Sequence, residues 1–462
     1  MSWRETLRDP LFLTALGVSL LLHIALFILA EPWNLLSAES RLLVGDAAHY
    51  HVTATRLAAG EGLEVIPTFR TPGYPLFVAF FYKVFGAERL WLPLAVQVVI
   101  SLAILPLVFR IARETTTSLF AARFSVALFA ISIISAFYAT RLLSETLFTF
   151  LFVISIWAIL RAIRSNSLIW FGTSGVALGA ATLVRPATQF YGFVIVLLIL
   201  IALTTNGKRK TLAVTVFAVA NILVLSPLVG YNLNKYGSPQ ISTNQGKVAW
   251  EFMAAELRAR SEGITIAAAR TELASELLAM DNPYEISAKK LNLTISYAAS
   301  DPLTFAAKTT EETIRTFIGT GQNIVAREIL QLEEPTRGES RGTLFGRIRE
   351  VVSGSVGELA IALILTFKLL GGYALLSVGL IVLVRRRERL LSILVVVTAA
   401  YFTIPAGAIG IGDARLIAPL IPIFVVVSGI GAVPVWERIQ LFLRRYIASA
   451  TASMPHGTGR NC

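Results

Sequence analysis

Residues 11–30 read LFLTALGVSLLLHIALFILA, an uncharged run that follows Arg4 and Arg8. Twenty residues of helix rise about 30 Å, the thickness of a bilayer's hydrocarbon core. Such a run after two arginines suits a signal peptide or a first span. It outruns a usual signal-peptide core, so an uncleaved span is expected. Further apolar runs lie near 90–109, 119–138, 143–160, 168–184, 187–203, 211–229, 361–384, 391–409 and 416–433. The expected fold class is therefore an all-α polytopic membrane protein of about ten transmembrane helices, with interfacial helices on the extracytoplasmic face.

Composition agrees. The 462 residues are 55% hydrophobic and 15% charged, and the mean hydropathy is +0.68. A soluble protein of this length needs far more polar surface. The net charge of +12 does not point to nucleic acid, because the basic residues fall in short clusters between apolar runs. The clusters are Arg4/Arg8, Arg110/Arg113/Arg123, Arg161/Arg164, Lys208/Arg209/Lys210, Arg385/Arg386/Arg387/Arg389 and Arg438/Arg444/Arg445. They occupy alternate connections, which by the positive-inside rule puts them, and both termini, in the cytoplasm. A single cysteine, Cys462, excludes a disulfide framework and a cysteine metal cage.

The expected organisation is a first helix over 1–30, an extracytoplasmic loop over 31–89, helices two to seven over 90–229 and a long extracytoplasmic loop over 230–360. Helices eight to ten follow over 361–433, and a cytoplasmic tail over 434–462. Within the loops, residues 248–280 and 284–318 read as amphipathic helices that cap the bundle. Water-facing chemistry is expected where the chain keeps its loops.

Candidate chemistry gathers at those outer ends. Asp46, in Gly45-Asp46-Ala47-Ala48-His49-Tyr50, shares a helical face with Tyr50 and Thr53. It is either a helix cap or a general base for a substrate hydroxyl. Arg70-Thr71-Pro72-Gly73-Tyr74-Pro75 sets a rigid turn that presents Arg70 and Tyr74 together, as structure or as a clamp for phosphate. Arg141 and Glu145 sit four apart at the meeting of two apolar runs, as an interfacial ion pair or part of a site. Arg185 before Pro186, Lys368, and Arg415 after Asp413 each suit snorkelling or a phosphate contact. Asp46 with Glu145 or Asp413 could hold a divalent metal only if folding unites them, and a metal-free site without cofactor is expected.

The chain resembles the bacterial members of the dolichyl-phosphate-mannose protein mannosyltransferase-like family, GT-C class glycosyltransferases that include the aminoarabinose transferase. Its carriers are Gly45-Asp46 with Tyr50, Leu57, Gly60 and Gly62; Arg70 to Phe77; Ser144 to Phe148; and Gly179 with Leu183-Val184-Arg185-Pro186. Asn232 to Gly237, Ile241 to Gly246, and Ala414-Arg415-Leu416 with Pro419 and Pro422 complete the set. The resemblance implies an inverting transferase with a polyprenyl-phosphate sugar as donor and Asp46 as catalytic base. Arg70, Arg185 and Arg415 would then stabilise the leaving phosphate, with Lys368 and Arg141 as lesser candidates, in a bacterial inner membrane with the site facing outward. Ala47 stands where the protein mannosyltransferases carry a second acid, so the acceptor stays open among lipid, glycan and protein. A transporter or flippase of lipid-linked saccharides is the rival expectation, and a non-catalytic scaffold a third. Against transport, mid-span ionisable residues are few and no two-fold repeat is visible.

Overall fold

The structure is a computed structural model that describes residues 3–34, 42–275, 277, 280–318, 356–386, 388–410 and 414–452. Asp413, Arg387, Cys462 and the 319–355 part of the long loop lie outside these. Every described element is helical, in keeping with a chain whose apolar runs have no period-two alternation.

All ten apolar runs form helices. They are α1 (Pro10–Ala30), α4 and α5 (Trp91–Leu102 and Ile104–Thr115), α6 and α7 (Leu119–Ala130 and Ile133–Ala139) and α8 (Glu145–Ser165). Then come α9 (Leu168–Val184), α10 (Tyr191–Ala202), α11 (Gly207–Tyr236), α17 (Val356–Arg385), α18 (Arg389–Ala408) and α19 (Ile421–Ala452). Among the described residues seven spans are long and apolar enough to cross a bilayer, or eight if α6 and α7, bent by 54°, make one. The other two of the ten expected runs form the shorter apolar helices α9 and α10, which part at Arg185. Arg185, ahead of Pro186, is extended at φ −151° and ψ 126°. Proline has no amide hydrogen and disfavours the helical region for its predecessor. The apolar stretch from 168 to 202 is thus cut into two helices, of 17 and 12 residues.

α8 and α19 form the centre of the bundle and are mostly buried, whereas α11 and α17 present most of their surface outward. Exposed Ile222, Leu223 and Phe367 on that outer surface, and Phe193 on α10, suit lipid. Inside, packing is aromatic: Phe148, Phe152, Tyr191 and Phe402 meet with centroids 5.1–6.2 Å apart. One buried polar link, His23 Nε2 to Ser101 Oγ at 2.9 Å, joins α1 to α4. Asp9 pairs with Arg123 at 2.8 Å and caps α1 through the Phe12 amide.

The first loop folds into α2 (Asp46–Ala58) and α3 (Gly73–Phe85). The long loop gives α12 (Asn244–Val248), a wide helical turn Ala249–Ala254, α13 (Ala255–Glu262), α14 (Ile266–Ser275), α15 (Pro283–Ser300) and α16 (Pro302–Ile318). The two loops are laced together. The Thr243 amide donates to the Thr68 carbonyl at 3.0 Å, Ser242 Oγ to the Phe69 carbonyl at 3.0 Å, and Lys247 Nζ lies 3.7 Å from the Phe69 ring centroid. Ser287 Oγ donates to the Thr243 carbonyl, which ties α15 into the same joint.

Candidate active site

Five chain segments deliver one charged cluster. Gly45 precedes α2 at φ +60°, a conformation that glycine adopts without strain. It turns the chain so that Asp46 opens α2, where the unpaired amides of the first turn favour an anion. One turn on, Tyr50 is buried on the same face as Asp46 and Thr53. Arg70 arrives from the turn before α3. Gly73 is needed there for space, since a Cβ on it would stand 2.6 Å from the Leu183 carbonyl oxygen of α9. Glu145 opens α8, as Asp46 opens α2. Arg185 ends α9, and its turn is braced by Thr182 Oγ1 to Thr188 Oγ1 at 2.9 Å and by Tyr401 Oη to the Ala187 carbonyl at 3.0 Å. Arg415 comes from the tight turn Ala414–Leu420 that leads into α19.

The contacts are ionic throughout. Asp46 Oδ1 accepts from Arg70 Nη2, and Asp46 Oδ2 accepts from Arg415 Nη1 at 2.6 Å. Glu145 Oε1 accepts from Arg185 Nη1 at 2.6 Å and also from Arg415 Nε. Arg415 thus joins the two carboxylates, although it lies 369 residues from one and 270 from the other. Arg70 also donates through Nη1 to Tyr50 Oη at 2.9 Å and lies 4.5 Å over the Tyr50 ring. Tyr50 Oη in turn donates to Ser144 Oγ at 3.3 Å.

Three guanidinium groups face two carboxylates here, so the cluster keeps one positive charge in excess. Burial works against the charge on Asp46, but Arg415 and Arg70 outweigh it and hold its carboxyl well below the usual carboxylate range. The Asp46 side chain is 35% exposed and Glu145 only 1%. Glu145 Oε2 and Thr146 Oγ1 are buried without hydrogen-bond partners, and both residues border a small cavity with Ser101 and Tyr138.

Of the residues singled out from sequence, Asp46, Tyr50, Arg70, Glu145, Arg185 and Arg415 meet directly. Tyr74 does not reach the cluster's charges. It is fully buried, donates to Gln97 Oε1 at 2.6 Å and packs edge-on against Tyr50 at 4.6 Å. It therefore backs the site. Gln97 was not foreseen; its amide donates to the Arg141 carbonyl at 2.7 Å and to the Ala139 carbonyl at 3.3 Å, holding the loop that leads to Glu145. Arg141 turns its guanidinium to the Thr140 carbonyl and the Phe137 ring. Lys368 donates to the Ile131 carbonyl at the bend between α6 and α7. Among the described residues no three His, Cys, Asp or Glu side chains are placed to share a metal ion.

Residues 69–231 match the sequence model of the dolichyl-phosphate-mannose-protein mannosyltransferase family. A search of curated proteins found no match. The archaeal oligosaccharyltransferase AglB from Archaeoglobus fulgidus, solved with an inhibitory peptide and a dolichol-phosphate, is 16% identical over 98% of this chain and 52% of its own, with a TM-score of 0.51. The same enzyme tethered to an acceptor peptide superposes with a TM-score of 0.53 at 14% identity, over 95% and 51% of the two chains. ArnT from Cupriavidus metallidurans in the apo state is 14% identical over 91% and 76%, with a TM-score of 0.38. The chain spans about half the length of the archaeal enzymes. At such identities the likeness is one of fold.

Proposed function

We propose that this chain, which has the GT-C membrane fold and a mannosyltransferase-family segment over residues 69–231, is a membrane glycosyltransferase that takes its sugar from a polyprenyl-phosphate donor. The observation that carries the reading is the cluster itself. A one-third exposed carboxylate is held by two arginines that enter from distant parts of the chain, at the face where both laced loops gather. The basic clusters of the alternate connections support a site that faces outward from a bacterial inner membrane.

Asp46 is the general base. It takes the proton of an acceptor hydroxyl as that oxygen forms a bond to the anomeric carbon. The bond from that carbon to the phosphate oxygen breaks with its electron pair, and polyprenyl phosphate leaves from the opposite face, which inverts the configuration. In the resting geometry both Asp46 oxygens are occupied and the carboxyl is a weak base. A donor phosphate competes for the same guanidinium groups. Drawing Arg70 and Arg415 onto phosphate frees an Asp46 oxygen and raises its proton affinity at the moment a proton must be taken. The same arginines then stabilise the charge that grows on the departing phosphate. Glu145 lies beneath Arg185 and Arg415 and fixes where they stand. The positive charge a leaving phosphate needs comes from side chains, so the reading involves no metal.

Purified wild-type and Asp46→Asn protein, supplied with a panel of polyprenyl-phosphate sugars and cell-envelope extract as acceptor, test this by release of polyprenyl phosphate. Release by wild type alone supports donor class and base together. Equal release by both removes Asp46 from the role. No release from any donor by well-folded protein leaves a fold without this chemistry.

A further inference from the structure

α19 outruns the membrane it enters. Its 32 residues rise about 48 Å, against about 30 Å of hydrocarbon. It follows the turn that carries Arg415, so its far end lies at the membrane face opposite the Asp46 cluster. Burial changes towards that end: up to Pro434 the helix is buried or half-buried, and from Val435 to Ile447 every residue is exposed. The boundary has its own markers. Trp436, of a type that favours the membrane surface, stacks on Phe120 of α6 with centroids 5.6 Å apart. Pro434 sits inside the helix just before it. With no amide hydrogen, it removes one backbone hydrogen bond and lets the helix bend there.

The exposed length is sorted by face. At helical spacing Val435, Ile439, Phe442, Leu443 and Tyr446 fall on one stripe. Val435, Ile439, Phe442 and Leu443 are 38–67% exposed, and the Phe442 and Tyr446 rings stack along the stripe at 6.5 Å and 19°. Arg438 and Arg445 line one flank of it. Glu437 and Arg444 lie opposite, with Leu441 as the apolar exception among them. Three arginines thus stand against one acid. Such a helix matches a bilayer surface, where the stripe enters the upper acyl chains and the guanidinium groups reach headgroup phosphates.

We propose that residues 435–447 form a membrane-surface helix that turns at Pro434 and lies on the leaflet opposite the Asp46 cluster, with anionic phospholipid headgroups as its partner. Charge and continuity choose this occupant. The cationic excess is attracted to an anionic leaflet. That leaflet already surrounds the same helix as far as Trp436, so docking needs one bend and no diffusing partner. A second copy along the stripe would instead gather three arginines and a single acid from each helix, a contact between like charges. The proposal is independent of the transferase reading and assigns a lipid contact to the other face of the membrane.

The test is spin-label accessibility on the full-length protein with Cys462→Ser, which removes its only cysteine. One cysteine at a time is introduced and labelled: Ile439→Cys, Phe442→Cys and Leu443→Cys on the stripe, and Glu437→Cys, Leu441→Cys and Arg444→Cys off it. Every substituted side chain is exposed, and a thermal midpoint equal to wild type's shows each variant to be folded. Nanodiscs of phosphatidylcholine, with or without phosphatidylglycerol, supply the two surfaces. Access to oxygen, which concentrates in lipid, is compared with access to a water-soluble nickel chelate. With phosphatidylglycerol the stripe positions are expected to favour oxygen and the others nickel, by a several-fold contrast. The contrast should shrink without phosphatidylglycerol, and also when Arg438→Gln and Arg445→Gln are added to the Phe442→Cys protein. Six positions equally open to nickel in both lipids would overturn the proposal and leave the helix standing in water. So would spin–spin broadening at stripe positions that neither reagent reaches, the mark of a second copy. An equal contrast in both lipids would remove the anionic headgroup as partner.

Discussion

Asp46 and Glu145 are alike in position and unlike in circumstance. Each opens a helix and each takes two arginine donors. Asp46 spreads its arginines over two oxygens and keeps a third of its side chain open, whereas Glu145 is sealed and loads both on one oxygen. An open carboxylate whose partners can be drawn off by a ligand suits chemistry. A sealed one, still buried if its partners leave, suits the fixing of other groups.

The difference breaks most readily at Asp46. Asp46→Asn keeps the shape and removes the base, so kcat is expected to fall about 10²- to 10⁴-fold, with a smaller loss of stability than at Glu145. Wild-type turnover would hand the base role elsewhere. Glu145→Gln should do the reverse in proportion, lowering the thermal midpoint by the equivalent of about 3–5 kcal/mol as Arg185 loses its counter-charge and Arg415 keeps only Asp46. A stable but inactive Glu145→Gln protein would reverse the roles assigned to the two acids.

Tyr50→Phe removes one acceptor from Arg70 while keeping the ring beneath it. A loss of about 1.5–3 kcal/mol is the ordinary scale for a hydrogen bond to a charged group, so a rate reduction of roughly ten- to a hundredfold is expected in the release assay. Lys368→Gln, at the bend between α6 and α7, should leave donor KM unchanged. A raised KM would bring Lys368 into the donor site.

Acid sharpens the comparison further. The Asp46 carboxyl is held below its ordinary value of 3.8 by Arg415 and Arg70 against the pull of burial. A group depressed in the folded state contributes stability that is fully present above its unfolded pKa and is lost as pH falls through the folded one. The stability difference between wild type and Asp46→Asn should therefore stay flat from neutrality to about pH 5 and close only below about pH 4. A difference that moves between pH 5 and 8 would show Asp46 titrating there, with its arginines elsewhere in solution.

Much of this was legible in the residues. Every apolar run became a helix, because twenty uncharged residues leave the backbone few other ways to satisfy its polar groups. Asp46, Arg70, Glu145, Arg185 and Arg415 could be collected because a charge at the end of an apolar run needs a reason. Arg70 and Tyr74, four apart on the same turn, show where such reading stops: one faces the cluster and the other faces Gln97. The direction is set by Gly73 against the Leu183 carbonyl, a contact 110 residues away along the chain. Lys368 and Arg141 had the same signature as the other cations, and only packing turned them to backbone carbonyls. The nearness of Leu63, Tyr231 and Tyr284 was not visible, since the lacing of two loops brings them together.

One feature of α11 reaches beyond the site. Its 30 residues extend about 45 Å at the helical rise, against a hydrocarbon core of about 30 Å. Most of its surface faces lipid, so it must lean or stand proud, and its raised end carries Tyr231 and Tyr236. The surplus length carries one unbroken helix from the Asn206 cap to Gly237, so that the stretch of chain beyond it arrives at the height of the first loop and can be sewn to Thr68 and Phe69.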